Sequence, residues 1–94
     1  MKILDQENIK VLLEKLDQWM FLDNGIQKKF VFKNFPEAIS FIVQLGFIAE
    51  KLNHHPEIFN VYNKVDIRLT THDAGGVTEK DFKLAEEIEK FLAK

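Results

Sequence analysis

Hydrophobic positions switch repeatedly between a helical period and strict alternation, and the switches predict an element order. Ile9, Leu12, Leu13 and Leu16 recur at i, i+3, i+4 and i+7, which predicts a helix over 5–16 with Asp5 as its N-cap. Trp19 to Leu22 is an apolar and aromatic run that suits a strand. Asn24-Gly25 then gives a hairpin turn, since both residues tolerate positive φ, and Gln27 to Lys33 returns as the second strand. Asn34, Pro36 and Glu37 form a capping-box start to a long helix. Its residues Ile39, Phe41, Ile42, Leu45, Phe47, Ile48, Ala49 and Leu52 make it apolar around much of its circumference, so more than one side should be buried. That helix should lie either between a sheet and another helix or against a second subunit.

Asn53-His54-His55-Pro56 ends the long helix, because proline disfavours helical geometry at the residue before it. Ile58 to Tyr62 reads as a strand, Asn63-Lys64 as a tight turn and Val65 to Thr71 as the partner strand. Val65, Ile67 and Leu69 should face the core, with Asp66, Arg68 and Thr70 facing outward. His72 to Val77 is a glycine-bearing loop, and Thr78 to Leu92 is a last helix with Phe82, Ala85, Ile88 and Leu92 on one stripe. The order is α-β-β-α-β-β-α. Hairpins imply antiparallel pairing, so the fold class is α+β: a two-layer sandwich with a four-stranded antiparallel sheet and helices on one face.

Composition narrows the functions open to such a fold. The 94 residues make room for one small domain spanning 1–94. With 13 Lys+Arg against 15 Asp+Glu the net charge is −2, which argues against direct nucleic-acid binding, where a basic footprint is required. The absence of cysteine excludes disulfides, thiolate metal sites and thiol nucleophiles. The N-terminus turns polar at once, which predicts no signal peptide. The longest apolar stretch, Ala38 to Ala49, is interrupted by Ser40 and Gln44 and falls short of the ~20 residues of a membrane span. A cytoplasmic protein with no membrane association is the expectation. Aromatic residues are 12% of the chain, nine of them Phe, and rings in that excess suit a subunit interface as well as a core.

The candidate chemistry lies in His54, His55 and His72. Imidazole exchanges protons near neutrality, and all three stand at element ends, where a scaffold presents functional groups. The hairpin between them returns on itself, so His72 should come near the pair. Taken singly, each has an ordinary structural explanation: His54 as a helix C-terminal residue, His55 and His72 as surface positions. Glu50, four before His54, is placed either to orient that imidazole or to serve as a solvated helix charge. Asp81, three after Thr78, reads first as a capping-box partner. The histidines with Glu50, Asp73 or Asp81 include donor types that zinc accepts. Yet no two histidines stand at i, i+4, and adjacent side chains point apart, so the spacing predicts no metal site. Lys28, Lys29, Lys80 and Lys83 look like solvated surface.

These residues resemble a known family. Glu50-Lys51-Leu52-Asn53-His54-His55-Pro56-Glu57, then Asn60-Val61-Tyr62-Asn63-Lys64-Val65, then Thr71-His72 and Asp81, look like the pterin-4a-carbinolamine dehydratases, from Trp19 onward. Two positions differ locally: Asn53 stands where an Asp is common, and Asp66 where some members carry a polar or imidazole side chain. The resemblance implies dehydration of 4a-hydroxytetrahydropterin to quinonoid dihydropterin in tetrahydrobiopterin recycling, with no metal and no organic cofactor. It implies a homodimer or homotetramer. It also implies His54 and His72 as the acid/base pair and His55 mainly as a holder of the pterin ring. Pro56 and the backbone of Thr71, His72, Asp73 and Ala74 should line the pocket, with Glu50 orienting a histidine and Asp81 bracing the His72 loop. Some members of that family serve as dimerisation cofactors of a transcription factor, so a protein-interaction module is the alternative. A pterin-binding role in molybdopterin metabolism is another.

Overall fold

The computed structural model describes residues 2–93. The elements run α1 (Gln6–Leu13), β1 (Met20–Leu22), β2 (Gly25–Val31), α2 (Phe35–Lys51), β3 (Glu57–Val61), β4 (Lys64–Leu69), a 3-10 turn (His72–Ala74) and α3 (Glu79–Leu92). The sheet is antiparallel throughout, in the order β1-β2-β4-β3. This is the expected α+β sandwich in the expected element order.

Alternation decides which face carries the helices. Ile26 and Phe30 of β2 and Val65, Ile67 and Leu69 of β4 point inward and are buried with Ala38, Phe41, Leu45 and Ala49 of α2 and Phe82, Leu84, Ala85 and Ile88 of α3. Each fully buried Ile or Leu contributes about 1.5–3 kcal/mol of transfer free energy. Trp19, Phe30, Phe41 and Phe32 form a chain of ring contacts through this core, with centroid separations of 6.0, 5.2 and 4.9 Å. Phe82 is buried in the same core and Phe91 packs against it, whereas Phe21, Phe35, Phe47, Phe59 and Tyr62 are exposed.

Three local expectations need correction. The first hairpin turns on Asp23 and Asn24, with φ of 50° and 62°, and not on Asn24-Gly25; Gly25 already pairs with Leu22 in the ladder. The second turns on Tyr62-Asn63, with Tyr62 at φ 51°, so Lys64 belongs to β4 and pairs with Val61. Helix α1 stops at Leu13, and the predicted last turn is irregular chain whose Leu16 still packs against the core. The start of α2 also differs in detail. Asn34 accepts from the Glu37 N–H at 2.9 Å as predicted, but the Glu37 carboxylate reaches back to Lys33 N–H and not to the cap itself.

Helix α2 is buried along one face only. Phe35, Ile39, Val43 and Phe47 follow one another at four-residue spacing on another side and are exposed, Phe47 by 70%. Among the described residues no helix is long and apolar enough to cross a membrane.

Candidate active site

The end of α2 sets the direction of the first histidine. Asn53 takes a left-handed conformation, φ 52°, just after the helix. The His54 N–H returns to the Ala49 carbonyl at 3.1 Å and the Asn53 N–H to Glu50 at 3.0 Å. This pair of bonds is a Schellman motif, and asparagine is among the few non-glycine residues that fit its left-handed position. The chain therefore turns sharply, and the helical register from Glu50 to His54 is lost. His54 swings inward, its side chain only 9% exposed, while His55 stays outside at 65%. Glu50 accordingly pairs with His55, Nε2 to Oε1 at 2.9 Å, and not with His54.

His54 meets Asp81. Its Nε2 lies 2.5 Å from Oδ1 of that carboxylate, which is fully buried. The other oxygen, Oδ2, accepts from Thr71 Oγ1 at 2.9 Å and from the Thr78 N–H at 2.9 Å. Asp81 thus completes the capping box of α3 and at the same time ties three segments together. The network also fixes proton positions. The Thr71 hydroxyl spends its hydrogen on Asp81, so the Thr78 hydroxyl, 2.8 Å away, donates to Thr71. Thr78 Oγ1 in turn accepts from the Lys80 N–H. With the carboxylate ionised all three partners must donate, and in a neutral His54 ring this puts the hydrogen on Nε2 and the lone pair on Nδ1.

Thr71 also shapes the loop that carries the third histidine. Its backbone N–H and carbonyl both bridge to Gly76, at 3.0 and 3.3 Å, closing a small loop over 72–75. Gly75 permits the closure with φ 81°. His72 opens this loop and stands 79% exposed, its Nε2 3.6 Å from Oε2 of Glu57.

His54, His55 and His72 all line one cavity of about 350 Å³, together with Asn53, Thr70, Thr71, Asp73 and Lys80. The there-and-back path of β3 and β4 brings this about: the ladder pairs Glu57 with Arg68, so the chain just before β3 lies beside the chain just after β4. Pro56 and Ala74 are not on the cavity wall. Sequence reasoning missed Thr78, Lys80 and the side chain of Thr71. Lys80 is no free surface charge; its ammonium donates to the Asn53 carbonyl at 3.2 Å on the cavity rim. Lys28 is not solvated either. It lies on the inner face of β2, 2.8 Å from Glu89, which also accepts from the Trp19 indole. Alternation along β2 carried the signal for Lys28, since it places residue 28 between inward Ile26 and Phe30. The residues that line the cavity bring histidine side chains, a carboxylate and an ammonium to a space that suits a small polar heterocycle. Among the described residues no group of three or more His, Asp or Glu gathers to hold a metal ion.

Comparison with known proteins shows the family of the chain. A family model described as "Pterin 4 alpha carbinolamine dehydratase" matches residues 2–91. The chain belongs to the pterin-4a-carbinolamine dehydratase family. A relative from Sinorhizobium fredii named "Putative pterin-4-alpha-carbinolamine dehydratase" is 53% identical over 92 residues, which is 96% of this chain and 88% of that protein. One of the same name from Rhizobium johnstonii is 51% identical and covers 100% of this chain and 95% of its own. A crystal structure described as "transcriptional coactivator/pterin dehydratase" from Brucella melitensis superposes with a TM-score of 0.90 at 42% identity, over 95% of this chain and 97% of that one.

Proposed function

We propose that the protein dehydrates 4a-hydroxytetrahydropterin to quinonoid dihydropterin, with His54 and His72 moving the protons. The observation that carries this reading is the His54–Asp81 pair opening on a cavity shared with His72 and His55. The reaction breaks the C4a–O bond, removes the proton from N5 and leaves a C4a=N5 double bond, with water as the other product. Hydroxide leaves poorly, so its oxygen must be protonated as it departs, and N5 must give its proton to a base. Each such transfer by a placed side chain is worth typically ~10²–10⁴-fold.

The hydrogen bonds around His54 support a division of the two roles. His54 offers a lone pair on Nδ1, and Asp81 holds the opposite Nε2–H and stabilises the imidazolium that forms. His54 is therefore the base for N5. His72, on the rim, supplies the proton to the leaving hydroxyl. His55, exposed and tethered to Glu50, flanks the ring and holds it. The Asp73 carboxylate offers an acceptor to the edge of a pterin, while the Thr71 backbone, spent on the loop it closes, holds that edge of the cavity in place. No step requires a metal or an organic cofactor.

The outer side of α2 supports self-association as a homodimer or homotetramer, because Phe35, Ile39, Val43 and Phe47 together make an exposed apolar stripe. A role as a partner of a transcription factor draws its support from the name of the Brucella melitensis structure and from the same stripe.

The decisive experiment follows loss of 4a-hydroxytetrahydropterin absorbance with the protein and with its His54→Ala and His72→Ala variants. Each substitution should lower kcat/KM by roughly 10²-fold or more. Because His72 is exposed, His72→Ala leaves the fold intact, and full turnover by that variant would remove the assignment.

A further inference from the structure

Arg68 sits where its neighbours leave room for it. On the outer face of β4 its guanidinium lies over Gly25, where a Cβ would fall 2.7 Å from Cζ. One nitrogen donates to the Asp23 carbonyl in the β1–β2 turn, and the other donates to Oε2 of Glu57 at 3.2 Å. Glu57 lies directly opposite Arg68 in the β3–β4 ladder. A planar fork with two fixed acceptors holds its geometry better than a single ion pair does. The same Glu57 oxygen is the one 3.6 Å from Nε2 of His72. The β1–β2 turn also grips the far end of the His72 loop. Asn24 donates from Nδ2 to the Gly75 carbonyl at 2.7 Å, while its own carbonyl accepts from Thr70 Oγ1 at 2.9 Å. Gly76 keeps this approach open, since a Cβ there would stand 3.0 Å from Asn24 Oδ1.

We infer that Glu57, fixed by Arg68, is a positioning residue for His72, with the β1–β2 turn as the anchor of the arrangement. An exposed imidazole at a loop start samples several rotamers, and each one away from the substrate costs rate. A proton donor must come within ~2.6–3.2 Å of the atom it serves. A carboxylate beside one ring nitrogen narrows the set of rotamers that the ring samples. Exposed ion pairs such as Arg68–Glu57 add little to stability, so their geometry acts here on the ring and not on the fold. This inference rests on the reading of His72 as a reacting histidine.

The test is a double-mutant cycle on the full chain. Glu57→Ala should lower kcat roughly 10-fold with little change in KM. Glu57→Gln, which keeps an acceptor for Arg68 and His72, should recover most of that loss. In the His72→Ala background, Glu57→Ala should cost nothing more. Losses that multiply in the double variant overturn the inference, as does a Glu57→Ala protein with full kcat. A His72→Ala protein of full activity refutes the proposed reaction instead. The contact is then judged by NMR, where His72 ring shifts unchanged by Glu57→Ala overturn it.

Discussion

Replacing Asp81 by Asn is the sharpest probe of the buried pair, because it changes a charge and a proton without changing shape. The carboxylate receives three donors: His54 Nε2 at 2.5 Å, Thr71 Oγ1 at 2.9 Å and the Thr78 N–H at 2.9 Å. The amide offers one oxygen and one NH₂. Its oxygen must take the place of Oδ2, since both partners on that side are donors. The NH₂ then faces His54, whose Nε2 must give up its hydrogen and accept, sending the hydrogen to Nδ1. Hydrogen bonds to a charged group are worth about 1.5–3 kcal/mol and neutral ones about 0.5–1.5, so the two retained bonds weaken by roughly 2 kcal/mol together. The fold survives such a loss, whereas Asp81→Ala would orphan three buried donors at about 1–3 kcal/mol each. Activity should suffer far more than stability. With hydrogen on Nδ1 the ring has no lone pair for N5, and kcat should fall by ~10²–10⁴-fold. Urea unfolding gives the stability change, the absorbance assay gives kcat, and ¹⁵N shifts of the His54 ring report the tautomer. An Asp81→Asn protein that folds and keeps kcat within about threefold would refute the assignment of His54 as base.

Other outcomes follow from single contacts. Gly25→Ala should push the flexible Arg68 guanidinium aside, because the new Cβ would stand 2.7 Å from its Cζ; the urea midpoint should fall only slightly, and Arg68→Ala in the same chain should remove the difference. Phe47→Asp should leave the monomer folded, since that side chain is 70% exposed, while sedimentation should show association lost; a strict monomer before substitution contradicts the interface. The Glu87 carboxyl should titrate below its ordinary 4.5, chiefly through the hydrogen bond from Lys90, with the charges of Lys90 and Lys83 adding to it. A lowered folded-state value means this contribution is present above the unfolded value and fades as pH falls through the folded one; an NMR titration unchanged by Lys90→Ala contradicts it.

Periodicity made the element order legible, but position within the elements was set by contacts it does not encode. Alternation in β4 identified Val65, Ile67 and Leu69 as inward, and all three are fully buried. Both hairpin turns nevertheless lie one residue earlier than local preference suggests. Asn-Gly is the stronger turn pair in isolation, yet Gly25 is taken by the ladder, where its bare Cα makes room for the Arg68 guanidinium. Such a constraint comes from a strand distant in sequence, and no window of local composition contains it. In α1 the apolar repeat continues to Leu16 although the helix does not, because a side chain in irregular backbone can meet the core as well.

The candidate site shows the same division between local and distant causes. The return of the hairpin was legible, and with it the grouping of His54, His55 and His72 about one cavity. The pairing of Glu50 was not, because helical spacing assumed a register that Asn53 breaks at φ 52°. Asp81 is the instructive residue. Its spacing from Thr78 marks a cap, and the cap is there, but a cap consumes only one of its oxygens. A fully buried carboxylate left with a free oxygen is costly, so the fold must supply it a donor. Two loops distant in sequence meet at that point, and the donor they bring is His54. Structural and chemical roles are therefore one requirement here: the charge that starts α3 is tolerated in the core because it holds the imidazole, and the imidazole keeps one tautomer because that charge is buried.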